Sequence, residues 1–243
     1  MLAGASDLLK FSAPAWSRAA AAAMTLAALG IVGHMAAAFV RFLAAAVGSP
    51  AAGERLRLVA ALMHPAAALL LTIAVLITTR REHRPGIEPA ASGLVSRFAA
   101  AGALALWIIA AVLFFLHFSW RGTTLPVMLS ALLADAALAI AYGFYGHHLA
   151  GRLPDDSLRT HTLNAGWLCG FACLMFAGCH FFDLARPAYL IAFICAFPII
   201  ALGAALLIYP ILILLRLANG LRLAANDADL VATRRRAAEF NAT

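Results

Sequence analysis

Residues 57–79 read RLVAALMHPAAALLLTIAVLITT. Between Arg57 and Arg80 there is no lysine, arginine, aspartate or glutamate. A helix rises about 1.5 Å per residue, so this run crosses the roughly 30 Å of hydrocarbon in a bilayer. One ionisable side chain lies inside it. His64 sits about 10 Å from the Arg57 end and is followed at once by Pro65. The stretch reads as a membrane helix that carries a submerged imidazole.

Working outward, five more blocks have the same character: 19–45, 97–118, 124–148, 162–184 and 188–217. Of the 243 residues, 64% are hydrophobic and 12% charged, whereas a soluble domain carries about a quarter charged residues. The expected fold is all-α: a polytopic membrane protein, a compact bundle of six transmembrane helices. Its connections are short, which favours antiparallel neighbours. None is long enough to bury a core of its own, so no soluble catalytic domain is expected. The first block is too long for the apolar region of a signal peptide and has a long polar lead-in, and it is expected to be retained. Residues 1–18 then form an N-terminal segment that offers Leu8, Leu9, Phe11 and Trp16 to the membrane interface. Residues 19–217 form the transmembrane domain, and 218–243 a polar tail, expected to be largely solvated despite a modest stripe of Leu217, Leu221, Leu230 and Val231.

The formal net charge is +7. With six spans, both termini share one face with the connections after spans two and four. That face holds thirteen of the 18 lysines and arginines; Arg41, Arg55, Arg57, Arg121 and Arg186 fall on the other. Basic residues are retained on the cytoplasmic side. Both termini are therefore expected in the cytoplasm, and the location in a bacterial inner membrane. Orientation accounts for the basic charge, so lipid is the implied partner and nucleic acid is not.

Membrane helices approach one another through small residues. Gly166 and Gly170 form a GxxxG, and Gly30 with Gly33 and Gly143 with Gly146 add small patches. Cys169, Cys173, Cys179 and Cys195 lack the spacing of a metal knuckle and are expected to pack as small hydrophobes, without a disulfide. Pro198 and Pro210 fall inside the last span and should bend it.

Ionisable groups inside a bilayer cost a few kcal/mol by insertion scales and tend to face protein. Of the eight histidines, His83, His147, His148 and His161 fall at the cytoplasmic boundary. His34, His64, His117 and His180 fall in the outer half of four different spans. Imidazoles at a shared level of a bundle can hold a cofactor: two suffice for a haem b, and three for zinc or copper. The alternative is a structural histidine that donates to a backbone carbonyl. His180 lies in 176–187, FAGCHFFDLARP, where Pro187 stops the helix and Asp183 and Arg186 are placed to pair at the outer surface. Asp135 is the one acid deep in a span. It must be neutral or paired, with a histidine, Tyr142 or Ser130 as candidate partners, and it suits a proton relay or a polar contact between helices.

His64-Pro65, the apolar run after it and Arg80-Arg81 together resemble the second helix of the cytochrome b561 family. The resemblance covers one helix. It implies six spans and histidine ligands at two depths on the four central ones. Here span four has only His147 and His148 at its inner end, and span three has no histidine in its inner half.

No nucleotide-binding loop, HExxH zinc site or nucleophile elbow occurs. The expected function is that of a membrane subunit in a redox or quinone-reactive system, with haem b or a transition metal held by His34, His64, His117 or His180 and a protein partner in a membrane complex. The alternatives are a small transporter using Asp135 and the proline kinks, and an accessory or assembly subunit without chemistry of its own.

Overall fold

The computed structural model describes residues 14–46, 50–80, 91–116, 123–153, 155–185 and 189–241; the side chains at 45, 46, 50, 179–185, 189–197 and 235–241 are outside that description. Among the described residues the regular structure is helical: α1 (Pro14–Ala46), α2 (Pro50–Thr78), α3 (Ala91–Phe115), α4 (Leu125–Ala150), α5 (Asp156–Ala185) and α6 (Tyr189–Asn241). Five of these, α1 to α4 and α6, are long and apolar enough to cross a membrane.

The starts of the helices follow from local chemistry. Proline opens α1 and α2 and occupies the first turn of α4, where its missing N–H is no loss. Asp155 caps α5, accepting from the Ser157 hydroxyl at 2.6 Å and the Leu158 N–H at 3.3 Å. The end of α2 is closed by side chains from three other helices. Tyr145 donates to the carbonyl of Thr78, Arg97 to that of Thr79, and Trp16 to that of Arg80. Carbonyls at a helix end have no partner within the helix, and lipid offers none.

Successive helices run antiparallel. Gly30 in the middle of α1 meets Leu71 of α2, while Gly53 near the start of α2 meets the Ala44 carbonyl near the end of α1. The closest approach joins α4 and α5. A Cβ built on Gly143 would lie 2.7 Å from the Gly166 Cα, and one on Gly166 would lie 2.7 Å from the Gly143 Cα. Two helix backbones touch there, a distance only glycine allows. The main core is rich in alanine, with Ala20, Ala21, Ala23, Met24 and Ala27 of α1 packed in one cluster with Leu217 and Leu221 of α6. Large apolar side chains point outward instead, as with Phe98 at 72% exposure and Leu116 at 62%. Such a surface suits hydrocarbon, since a soluble monomer rarely exposes large contiguous apolar patches.

Two parts differ from the sequence-based expectation. Trp16 belongs to α1, where its ring packs against the main core and lies 5.8 Å from the Arg152 guanidinium. Helix α6 runs 53 residues, roughly 80 Å. Its stretch beyond 217 is no merely solvated tail: Leu221, Ala224, Ala225 and Ala228 are buried, and Asp229 pairs with Arg18. Half of the apolar stripe lies on the packed face, since Leu217 and Leu221 are buried while Leu230 and Val231 are exposed; the packing of α1 against it did not show in the local pattern. We call this end, where α1 begins, the terminal end of the bundle, and the opposite one the far end.

Candidate functional site

His34 on α1, His64 on α2, Trp107 on α3 and Asp135 on α4 meet in the bundle interior. Each lies 8 to 14 residues from its helix terminus at the far end, about 12 to 21 Å along the axis. His64, Trp107 and Asp135 are buried, at 6%, 2% and 7% exposure. The four helices converge because small residues line their contacts at this level. Gly33 touches Ala67, and Ala68, Ala110 and Ala131 surround Trp107 in one cluster.

The Nδ1 atoms of His34 and His64 are 3.1 Å apart, a direct imidazole–imidazole hydrogen bond. One ring must donate and the other accept, so the two tautomers are coupled. The indole of Trp107 stacks flat on His64, with centroids 4.1 Å apart and an interplanar angle of 6°. Its Nε1–H donates to Asp135 Oδ2 at 2.8 Å. Trp107 therefore fixes both the imidazole plane and the carboxyl group. His34 and Asp135 are within electrostatic reach of each other. Two atoms of this group remain without a hydrogen-bond partner although shielded from solvent: His34 Nε2 and Asp135 Oδ1. Buried polar atoms are paired in the great majority of cases, so two orphans in one cluster mark a place for a ligand or a water.

Among the candidates named from sequence, the structure brings His34, His64 and Asp135 together. His117 lies outside the described residues, as does the side chain of His180; so do His83, Arg186, Pro187 and the side chains of Asp183, Cys179 and Cys195. Cys169 and Cys173 are free thiols. His147 accepts from Arg159 Nε at 2.9 Å, and His161 bonds the Tyr209 hydroxyl at 2.6 Å, both near the terminal end. Among the described residues, no three histidine, cysteine, aspartate or glutamate side chains are grouped to hold a metal ion.

Of the expected partners of Asp135, a histidine is present in His34, within electrostatic reach, but the hydrogen-bond donor is none of the three. Ser130 donates to the Pro126 carbonyl within its own helix, and Tyr142 bonds Thr78 at 3.1 Å. The hydrogen bond comes from Trp107 of α3, whose indole reaches across the helix interface. The signal in sequence was a tryptophan eight residues inside a span rather than at the membrane interface, where this residue type is usually enriched. No family model, curated protein or solved structure matches the chain.

Proposed function

We propose that the chain is the membrane-embedded, quinone-reactive subunit of a redox complex, and that His34, His64 and Asp135 exchange protons with the quinone headgroup. It crosses a bacterial inner membrane six times with both termini in the cytoplasm, so the far end faces outward. The observation that supports this reading is the pair of shielded, unpartnered atoms, His34 Nε2 and Asp135 Oδ1, beside a hydrogen-bonded imidazole pair.

Oxidation of a quinol releases two electrons and two protons. The electrons leave to a redox centre on a partner protein. One hydroxyl of the quinol donates to His34 Nε2, which takes the first proton, and the other to Asp135 Oδ1, whose carboxylate takes the second. A proton accepted at His34 Nε2 lets the ring pass its Nδ1 proton to Nδ1 of His64, a shift that needs no side-chain movement at 3.1 Å. Trp107 holds the carboxyl in place throughout.

The expected haem b or transition metal sets a different demand. Two metal–nitrogen bonds of about 2 Å in line place ring nitrogens about 4 Å apart, with a macrocycle between them for haem. His34 and His64 share a hydrogen across 3.1 Å and His64 stacks on Trp107, so the described pair does not fit a haem or a linear metal bridge. A metal at this level would need His117 or His180 as well. An absorbance spectrum and elemental analysis of the purified protein test that point directly.

Quinone binding is measured by quenching of tryptophan fluorescence with a short-chain ubiquinone in detergent. Saturable quenching that disappears in Trp107→Phe and weakens about tenfold in Asp135→Asn, as loss of a buried charge-assisted bond implies, supports the proposal. Linear, non-saturable quenching in all three proteins contradicts it. A second reading, a proton-coupled transporter, draws on Asp135 Oδ1 and on Pro198 and Pro210 inside α6. It predicts that Asp135→Asn abolishes uptake of a solute while quinone leaves the fluorescence untouched.

A further inference from the structure

A fifth helix reaches the level of the site. Helices α4 and α5 run antiparallel, and their close contacts fix the register between them. A Cβ on Gly166 would lie 2.9 Å from the Ala139 carbonyl oxygen, and one on Gly170 would lie 2.9 Å from the Ile140 side chain and 3.3 Å from the Ala136 carbonyl oxygen. Three residues beyond Gly170, about 4.5 Å nearer the far end, Cys173 comes level with Asp135. Its thiol lies within electrostatic reach of the Asp135 carboxyl and shares a hydrogen bond with Cys169, one turn back on the same face of α5. Both cysteines are free thiols and partly buried.

Asp135 sets a demand that this thiol can meet. Its Oδ2 accepts from Trp107 at 2.8 Å, while Oδ1 is shielded and has no partner. A carboxyl that takes a proton from quinol must be ionised before the quinol arrives. An ionised carboxylate only accepts hydrogen bonds, and burying one with an oxygen unserved is strongly disfavoured. Ser130 and Tyr142, the nearest hydroxyls on α4 itself, are engaged with Pro126 and Thr78. The Cys173 S–H is a weak donor whose hydrogen is free to turn about the Cβ–Sγ bond. It can point back to Cys169 or across to α4 while the sulfur stays in place. With Cys169 donating to the Cys173 sulfur, the chain S–H···S–H···O⁻ strengthens each bond in turn.

We infer that Cys173 is a positioning residue of the site: when Asp135 is ionised, the thiol turns from Cys169 to Oδ1 and holds the carboxylate ready for the quinol hydroxyl. This rests on the quinol-oxidising role proposed above and deepens it. As the quinol binds, its hydroxyl replaces the thiol at Oδ1, the proton passes to the carboxylate, and the thiol turns back to Cys169. No bond to sulfur is made or broken.

Infrared difference spectra on adding a short-chain ubiquinol read both groups, because S–H stretching falls in a window clear of water and amide bands. In the wild type the S–H band is expected to move to higher frequency as the carboxyl C=O band of Asp135 appears. Cys173→Ala should abolish the S–H shift and cut the carboxyl band about threefold, since a carboxylate without its donor is largely protonated before quinol is added. Cys173→Ser keeps a donor and should restore the carboxyl band with no S–H signal, a rescue that a merely space-filling cysteine would not show. A carboxyl band without an S–H shift overturns the inference, as does an S–H shift that survives Cys173→Ala or an undiminished carboxyl band in that variant. If no carboxyl band appears with quinol, the quinone reading fails, and an alkaline titration without quinol decides the thiol contact. The Asp135 carboxyl band and the S–H band must then change together in the wild type, and the S–H band must stay fixed in Asp135→Asn; any other result refutes the contact.

Discussion

Asp135 is held by one hydrogen bond, from a neutral indole that also supports an imidazole. Trp107→Phe keeps most of the ring stack and removes the donor, leaving a buried carboxyl oxygen unsatisfied. We expect a loss of about 1–3 kcal/mol in unfolding from mild detergent. The double variant Trp107→Phe/Asp135→Leu should recover much of it, because removing both partners also removes the penalty. At the start of α5, the Ser157 hydroxyl above all, and with it the Arg216 guanidinium at 2.6 Å and the Leu158 N–H, hold the Asp155 carboxyl below its ordinary range against the opposing effect of desolvation. A depressed value in the folded state means that the cap stabilises fully above the unfolded value of about 3.9 and is lost as pH falls through the folded one. Amide hydrogen exchange at the first turn of α5 should therefore accelerate on acidification below about pH 4, and Asp155→Asn should flatten that dependence. At this scale sequence revealed which polar groups were submerged, since a lone acid in an apolar run needs no structure to be noticed. It did not reveal the hydrogen-bond donor to Asp135, because Trp107 lies 28 residues away and joins it only through helix rotation.

Helix contacts are decided by glycines with very different surroundings. Gly143 and Gly166 touch backbone to backbone, so Gly166→Ala must push α4 and α5 apart; overpacking of this kind costs about 1–3 kcal/mol. Gly102 on α3 has nothing within 4 Å of an added Cβ. Gly102→Ala should therefore be neutral or stabilise by up to about 1 kcal/mol through helix propensity. Thermal unfolding of the two variants in one detergent separates them, and equal shifts would refute the packing assigned to the α4–α5 contact. The small patches were visible in the sequence. Gly30, Gly33, Gly143, Gly146, Gly166 and Gly170, the glycines of those patches, all meet another helix; which helix each meets was not legible, because only the crossing of helices decides it.

For the molecule as a whole, apolar block length was enough to show helices of membrane dimensions, because hydrocarbon thickness fixes the length of a span. Pro198 and Pro210 lie inside one span in the sequence reading, and the helix runs through both; its continuation past 217 was not legible, and that polar-looking end is packed through Leu221 and Ala224 against the main core. Deleting residues 218–243 should consequently lower the melting temperature and expose Met24 and Ala20 of α1, rather than trim a free tail. The buried four-residue site gathers these scales into one claim, that a quinol gives its protons to His34 and Asp135 inside the bundle. Infrared difference spectroscopy of the purified protein on adding quinol reads the carboxyl group itself. We predict a carboxyl C=O band, shifted in D2O, that appears with quinol and vanishes in Asp135→Asn; a spectrum unchanged by quinol, or a band that survives that substitution, would contradict the account.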